Sequence, residues 1–346
     1  MLGLCLLLLT ELAPLRPDAP NRQPALAAEG RTVALAYGAG HSISVAISND
    51  GGRSFQQAVV VSDSGKLALG MHRGPRMAMA PGAMVVTAVV GEKGGGADGD
   101  ILCWRSANKG RSWAGPVRVN DVPGSAREGL HAMASGGGLF FVKWLDLRRQ
   151  GTRVYGAISR DGGATWSRNL QVYESPSGSV CECCHPSAAV SPSGEIYVMF
   201  RNWLDGARDM YLAKSPDGER FEPARKLGTG TWPLNACPMD GGGMVLERKG
   251  YPATAWRRDG EVYFLDAGSR EEQKLGTGKN PAIAIQGGRP VVAWSQSRAI
   301  QYAFPDRDQL MTLTSDGAFP RLVSLEDGGV VAAWESKGSI MVQRLE

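Results

Sequence analysis

A run of sulfur and nitrogen ligands marks one place in the sequence, because three cysteines and a histidine fall within five positions. Thiolates and an imidazole bind Zn(II) or Cu(I) in proteins, whereas in an oxidising compartment the same thiols pair as disulfides. A further cysteine, followed by proline, comes later in the chain. The pattern predicts one or two disulfides among these four cysteines. The alternative is a metal site, and its candidate ligands are Cys181, Cys183, Cys184, His185 and Cys237.

Four short segments of the chain resemble one another and lie at regular spacing. They read SNDGGRSF, SANKGRSW, SRDGGATW and SPDGERF. In each, an Asp or Asn side chain is placed to accept main-chain N–H groups of a tight turn, and glycine supplies a positive φ. The aromatic residue then packs beneath the turn. We predict structural roles in four hairpin turns, at intervals of 58, 53 and 56 residues, for Asp50, Asn108, Asp161 and Asp217.

These segments resemble the Asp box, S-x-D-x-G-x-T-W, of the sialidase superfamily and of related BNR-repeat propellers. The repeats and their surroundings cover nearly the whole chain, and their spacing suits one four-stranded sheet per repeat. The resemblance implies an all-β fold, a β-propeller of four-stranded blades. Seven blades are favoured, with six as the alternative because sialidases have six, since units start near Pro24, Pro75, His131, Pro186, Pro238, Pro281 and Pro320.

Length and composition narrow the class of protein. The 346 residues include 46 glycines and 20 prolines, which suits many short strands and turns, and a net charge of +4 without a basic run gives no basis for nucleic-acid binding.

The apolar run Leu2 to Leu9 is too short to be a transmembrane segment. We predict a signal or leader segment over residues 1–22, although a positive n-region is missing, and a single propeller domain over residues 23–346. A secreted or periplasmic monomer is expected.

In a propeller blade, the turn between the second and third strands and the link to the next blade lie opposite the hairpin turns described above. Loops of that face carry function in the sialidase superfamily. The resemblance implies arginines that bind a substrate carboxylate, an aspartate acid/base and a tyrosine nucleophile. No tyrosine lies at a suitable position, and the nearest matches to the other groups are Arg73, Arg76, Arg201, Arg257 and Asp146.

A second resemblance is to secreted BNR-type proteins with a Cys-x-Cys-Cys segment and a later Cys-Pro pair. In those proteins, as here, an Arg, an Arg-Asp pair and a Trp lie between the two cysteine segments. This resemblance implies a shared site where the loops of the fourth and fifth blades meet beside the cysteines. We predict that its binding residues are Asn202, Arg208, Asp209 and Trp232.

Two functions from different classes follow from these observations. One is a secreted, sialidase-like exo-glycosidase that acts on anionic, sialic-acid-type glycans and requires no cofactor. The alternative is a non-catalytic propeller that binds a partner or a soft metal, Cu or Zn, through a cysteine-bearing mouth. Three arginines converging with a Tyr–Glu pair would distinguish the glycosidase, and sulfurs within ligand distance without a central nucleophile would distinguish the metal-binding protein.

Overall fold

The protein is described from a computed structural model that defines residues 9–247 and 250–345. These residues form strands and turns, and no helix among them could cross a membrane. The strands are β1 (Leu9–Leu12), β2 (Asn21–Glu29), β3 (Thr32–Ala39), β4 (Ser42–Ser48), β5 (Val59–Ser62), β6 (Lys66–Leu67), β7 (Arg76–Ala80), β8 (Ala83–Gly91), β9 (Asp100–Ser106), β10 (Ala114–Arg118), β11 (His131–Gly136), β12 (Leu139–Asp146), β13 (Arg153–Ser159), β14 (Leu170–Tyr173), β15 (Ser187–Val190), β16 (Ile196–Arg201), β17 (Met210–Ser215), β18 (Arg225–Lys226), β19 (Gly242–Leu246), β20 (Pro252–Arg258), β21 (Glu261–Leu265), β22 (Gln273–Thr277), β23 (Lys279–Gln286), β24 (Arg289–Gln296), β25 (Ala299–Ala303), β26 (Leu310–Thr314), β27 (Ala318–Ser324), β28 (Val330–Ser336) and β29 (Ser339–Leu345).

The strands assemble into seven antiparallel sheets, which are the blades of a β-propeller. Blade 1 contains β2 to β5, blade 3 β11 to β14, blade 4 β15 to β18, blade 5 β19 to β22 and blade 6 β23 to β26. In blade 2 the inner strand is divided, since β6 and β7 both pair with β8, which is followed by β9 and β10. Each inner strand contacts the inner strand of the next blade, and β27 contacts β2, so the ring is closed. The predicted all-β propeller with seven blades is confirmed.

Blade 7 combines the two ends of the described chain. Strands β27, β28 and β29 form its first three positions, and β1 pairs antiparallel with β29 as the outer strand. The side chain of Ser339 donates a hydrogen bond to Glu11 at 2.7 Å, and Leu12 packs against the core between blades 7 and 1. The segment predicted as a leader, residues 1–22, thus contains β1 and the start of β2, while residues 1–8 lie outside the described residues. The predicted boundary at residue 22 stays a prediction.

The second strand of most blades is buried along its whole length. β3, β8, β12 and β16 consist of almost continuous apolar runs, because both faces of each strand pack against neighbouring blades. Tryptophans near the ends of several second strands fill the space between blades. Trp144, Trp294 and Trp334 are among the largest fully buried side chains. This packing holds the turn at the end of each second strand in a fixed position.

The four repeated segments form the turns between the third and fourth strands of blades 1 to 4. In each, the first serine hydroxyl accepts an N–H from a turn glycine, at 2.8 to 2.9 Å. The aligned Asp or Asn accepts an N–H from a later turn residue, as at 2.9 Å between Thr165 N and Asp161 Oδ1. Hydrogen bonds from the Thr165 side chain and main chain lower the pKa of Asp161 to about 2. The equivalent acceptors are Asp50, Asn108 and Asp217.

Candidate functional site

The face opposite these turns carries the links between blades and the turns between second and third strands. We call it the mouth face. Three inner strands begin there with a non-glycine residue in the left-handed region, followed by proline: Gln23 (φ 55°), Asn280 (φ 57°) and Phe319 (φ 53°). The pairing with the second strand shifts register at each of these places. A bulge of this kind bends a strand and redirects its side chains, and such backbone positions concentrate at functional sites.

Around the axis of the mouth face, polar side chains from several blades converge in what we call the axial cluster. It contains His72, Arg76, His185, Asp240, Asn280 and Arg321. His72 Nε2 lies 2.9 Å from Asn280 Oδ1, and Arg321 Nη2 lies 3.3 Å from His72 Nδ1. A guanidinium only donates, so His72 Nδ1 accepts and its Nε2–H donates to the Asn280 amide. The rings of His72 and His185 are stacked with centroids 3.9 Å apart.

The charges of the axial cluster are strongly affected by burial. Burial and the nearby positive charge of Arg321 lower the pKa of Arg76 to about 9. Burial lowers the pKa of Arg321 as well, against the opposing charges of Glu335 and Asp240. Both arginine residues nevertheless keep part of their surface exposed. Two neighbouring cations that are surrounded by protein but still reachable from solvent favour an anionic ligand.

The two histidines and the aspartate of the axial cluster lie close enough together to form a candidate metal site. One ligand atom from each of His72, His185 and Asp240 lies within 4.8 Å of the others. However, His185 Nδ1 accepts the main-chain N–H of Gly241 at 3.1 Å, which leaves the proton on Nε2, and both nitrogens of His72 are occupied. Burial lowers the pKa of both histidines and raises the pKa of Asp240. This arrangement does not offer the free imidazole lone pairs that a metal ion requires.

A groove of about 470 Å³ opens on the mouth face beside the axial cluster, between blades 6, 7 and 1. We call it the mouth groove. Its floor contains Glu335, whose Oε1 accepts hydrogen bonds from Gln23 N at 2.7 Å and Gln23 Nε2 at 2.9 Å. Burial raises the pKa of Glu335, although these hydrogen bonds and nearby arginines oppose the shift. The charged side chains along its rim are Arg22, Arg298, Asp316 and Lys337.

The cysteine cluster lies where the links before blades 4 and 5 meet. Cys183 and Cys237 form a disulfide with Cα atoms 6.1 Å apart, so a predicted disulfide between the two links is confirmed. Cys181 and Cys184 are free thiols in the same cluster, both buried, with their sulfurs 3.1 Å apart. Arg208 Nη1 lies 3.1 Å from Cys181 Sγ.

The two free thiols of this cluster have opposite tendencies to ionise. The hydrogen bond from Cys184, supported by the charges of Arg201 and Arg208, lowers the pKa of Cys181 to about 6 despite its burial. Burial raises the pKa of Cys184 well above its ordinary value. A thiol paired with a thiolate at this distance is therefore the favoured state near neutral pH.

The arginines predicted to bind a substrate carboxylate mostly donate to main-chain carbonyls of neighbouring segments. Arg201 is almost fully buried and donates to the carbonyls of Arg208, Arg257 and Asp240, at 2.7, 2.8 and 3.2 Å. Arg73 donates to the carbonyl of Glu128 and forms an ion pair with its carboxylate.

The remaining predicted catalytic residues fall into three different settings. Arg76 donates to the carbonyls of Pro75 and His131 and also belongs to the axial cluster. Arg257 lies beside the ring of Trp232, as Arg201 does, so these two arginines are brought together. The carboxylate of Asp146 is fully buried and accepts hydrogen bonds from the Trp144 indole and the Arg148 guanidinium.

The predicted binding residues of blades 4 and 5 do lie together, as supports of the cysteine cluster. Asp209 accepts the main-chain N–H of Trp232 at 2.8 Å and pairs with Lys226. The Asn202 amide donates to the Tyr173 hydroxyl at 3.0 Å. Arg208 also packs its guanidinium over the ring of Trp203. All four predicted residues, which are Asn202, Arg208, Asp209 and Trp232, are buried.

Four residues of the axial cluster and mouth groove were not selected from the sequence as site residues. They are Asp240, Asn280, Arg321 and Glu335. A local signal existed for two of them, because Asn280 precedes and Arg321 follows the proline that starts an inner strand. A proline at the start of an inner strand indicates a position on the mouth face, but it does not indicate which side chains from different blades meet there.

We expect the Cys183–Cys237 disulfide to contribute strongly to stability. Replacing both residues by alanine is expected to lower the free energy of unfolding by about 3 kcal/mol, since the bridge closes a loop across a whole blade. The measurement is urea denaturation of both proteins with and without reductant. Reductant should bring the wild type to the level of the variant and leave the variant unchanged. Equal denaturation midpoints without reductant would contradict this assignment.

Comparison with known proteins shows the fold. No protein-family model matches the chain, and no curated protein matches its sequence. Among solved structures, an α-L-arabinanase of Penicillium chrysogenum complexed with arabinobiose is 13% identical, with a TM-score of 0.55 over 97% of this chain and 98% of that chain. The Hadza microbial sialidase Hz136 is 14% identical, with a TM-score of 0.52 over 92% of this chain and 74% of that one.

A third similar structure is a polysaccharide lyase, an ulvan lyase bound to -[GlcA(1-4)Rha3S]-. It is 11% identical, with a TM-score of 0.59 over 96% of this chain and 95% of that chain. The resemblance to sialidase-type propellers is therefore confirmed as a likeness of fold. Identities this low show the architecture alone.

Proposed function

We propose that the protein is a secreted, carbohydrate-active propeller that takes an anionic glycan at the mouth groove and axial cluster. The observation that carries this proposal is the mouth groove, whose lining includes Glu335, a partly buried carboxyl group with a raised pKa whose charge interacts with that of Arg321. A concave site that combines a perturbed acid with cations is the usual setting for chemistry on a charged substrate.

The proposed reaction combines a proton-donating carboxyl group with cationic guanidinium groups. Burial keeps the Glu335 carboxyl protonated to a higher pH than an exposed glutamate, so it is suited to donate a proton to a glycosidic oxygen as the leaving sugar departs. Arg321 would hold the carboxylate or sulfate of the sugar by charge-assisted hydrogen bonds, and Arg76, which donates to main-chain carbonyls, would add its positive charge behind it. Proton donation to the leaving oxygen serves both hydrolysis and elimination, and both kinds of enzyme occur among the similar structures.

Support for an anionic ligand does not rest on the predicted sialidase arginines alone, because Arg321 is not among them. In the ulvan lyase complex the bound saccharide contains GlcA and Rha3S, which carry a carboxylate and a sulfate. The excess of positive charge in the axial cluster suits the same class of ligand. Secretion is proposed with this function, because the Cys183–Cys237 disulfide suits an oxidising compartment. A monomer remains our prediction.

The test is Glu335→Gln, assayed with a fluorogenic sialoside, a fluorogenic glucuronide and a sulfated, glucuronate-containing polysaccharide. We expect turnover of at least one of them by the wild type, and a kcat about 10²- to 10⁴-fold lower in the variant with little change in KM. The wild-type rate should fall as pH rises through the raised pKa of Glu335, and the variant should lose this dependence.

The matched control is Glu326→Gln, which changes an exposed glutamate of the same blade on the opposite face. It should leave the rate unchanged. Full activity of Glu335→Gln would refute the role of this carboxyl. Absence of both turnover and binding across the anionic panel would refute the proposed function itself.

A second candidate function is favoured by the sulfur atoms. The sulfurs of Cys181, Cys183 and Cys184 lie within 4.8 Å of one another. This convergence supports the alternative of a propeller that binds a soft metal, Cu or Zn, or a partner through its cysteine-bearing mouth.

A further inference from the structure

We infer that Cys181 and Cys184 form a binding site for a single Cu(I) ion, enclosed by the links of blades 4 and 5 and neutralised by Arg208. This inference deepens the second candidate function and does not depend on the glycan proposal. It rests on the donors that are free, on their surroundings and on the charge balance of the site.

The two sulfur donors belong to one short loop. Cys181 and Cys184 are separated by two residues, both are buried, and their sulfurs lie 3.1 Å apart. Metal–thiolate bonds are about 2.3 Å long, so an ion between the sulfurs requires them to move apart by roughly 1 Å or more. Both residues lie outside the strands, and the main-chain N–H of Cys181 donates to the carbonyl of Arg201, so this adjustment falls on the side chains and on the loop around Cys184.

The set of available donors selects the metal. The disulfide occupies the sulfurs of Cys183 and Cys237, and the Nδ1 atom of His185 is occupied by the N–H of Gly241. The remaining soft donor that packs against the cluster is the thioether of Met239. Two thiolates and a thioether suit Cu(I), whereas a structural Zn(II) site takes four ligands, mostly thiolate and imidazole. The donor set thus favours Cu(I) over Zn(II).

The charge of the site also supports a single Cu(I) ion. Cu(I) bound by two thiolates has a net charge of −1, which is costly to bury without a counter-charge. Arg208 is buried, and its guanidinium donates to Cys181 Sγ at 3.1 Å and to the carbonyl of Leu234 at 3.2 Å. Across the described ranges, no carboxylate forms an ion pair with Arg208. Arg208 is the cation that contacts the thiol pair directly, and its charge offsets the net charge of the proposed complex.

The surroundings would also protect a bound ion. Cys181 and Cys184 are each 1% exposed, and the disulfide and Met239 pack against them. Exclusion of water and oxygen favours Cu(I) over Cu(II) and keeps the thiols from oxidising. Cys103, by contrast, is a single buried thiol that donates to the carbonyl of Gly163 and has no second sulfur beside it among the described residues.

The experiment is an anaerobic Cu(I) titration of the full chain against the chromophoric chelator bicinchoninate, with ascorbate as the reductant because it leaves disulfides intact. The wild type should withdraw one equivalent of Cu(I), with sulfur-only ligation in X-ray absorption spectra. Cys181→Ser and Cys184→Ser should each lose the site, and Cys103→Ser should keep it. A parallel titration with Zn(II) should show no site of comparable affinity.

The role of Arg208 is tested with two variants, since a buried arginine can be needed for folding. Arg208→Met should weaken Cu(I) binding about 10- to 100-fold, and Arg208→Lys, which keeps the charge, should recover part of it. The inference is overturned if the wild type withdraws no Cu(I), if Cys103→Ser loses as much as Cys181→Ser, or if peptide mapping shows Cys181 bonded to Cys184 in the purified protein. Turnover of glycans without added copper would leave the glycan proposal standing in each case.

Discussion

Deleting residues 1–12 is expected to destabilise the whole propeller, because it removes the outer strand of blade 7. Without β1, the main-chain groups of β29 become an unpaired edge, and the side chains of Glu11 and Leu12 no longer contact Ser339 and the core between blades 7 and 1. Loss of the strand hydrogen bonds and of this packing should lower the free energy of unfolding by about 4 kcal/mol. Thermal unfolding followed by circular dichroism measures the change.

The matched control is deletion of residues 1–8, which removes no part of β1. It should unfold at the wild-type temperature, while the longer deletion should also aggregate through the exposed edge of β29. If both deletions unfold at the wild-type temperature, β1 does not close the ring. The comparison also bears on the predicted leader segment, since a chain that keeps β1 must be processed before Leu9 if it is processed at all.

Replacing Arg201 by methionine is expected to have a similarly large effect on stability. The guanidinium provides hydrogen bonds to three main-chain carbonyls in three different segments, those of Arg208, Asp240 and, in strand β20, Arg257. Methionine fills much of the same volume but leaves these buried acceptors without their donor, at a cost of about 4 kcal/mol. Urea denaturation measures the loss.

Arg298→Met is the control for Arg201, because Arg298 is an exposed arginine of the same face whose ion pair with Asp316 lies at the surface. Its removal should leave the free energy of unfolding essentially unchanged, because an exposed ion pair contributes little to stability. If the two variants prove equally stable, the hydrogen bonds of Arg201 do not stabilise the fold, and its predicted role in binding substrate gains support. If Arg201→Met binds Cu(I) as the wild type does, the cysteine cluster keeps its geometry without the hydrogen bonds of Arg201.

The architecture was predictable because it rests on local and repeated signals. Turn residues at Asp50, Asn108, Asp161 and Asp217 act within their own hairpins, so their spacing reports the length of a blade directly. The seven unit starts, six of them prolines and the other His131, favoured seven blades over six. The meeting of the two cysteine links also followed from the repeat, since consecutive links in a propeller are neighbours.

The candidate site was only partly predictable, because an arginine in a loop has the same appearance in sequence whether it binds a ligand or its own main chain. The sequence predicts a ligand-binding role for Arg201, whose guanidinium donates to three main-chain carbonyls in the structure. Glu335 and Arg321 appeared as ordinary loop and strand residues, yet one lies in the mouth groove and the other in the axial cluster. The sequence also left open whether the cysteines pair with each other or bind metal.

What the sequence determined by itself was therefore the class of fold, the blade repeat and the face on which the loops gather, since these depend on residues close together in the chain. Only the tertiary structure decided which side chains meet at the axis, because His72, Asp240 and Arg321 come from blades far apart in sequence and are joined by closure of the ring. The outer edge of blade 7 is likewise completed by β1, a four-residue strand with no local signal, which is defined by its partner β29 at the other end of the chain.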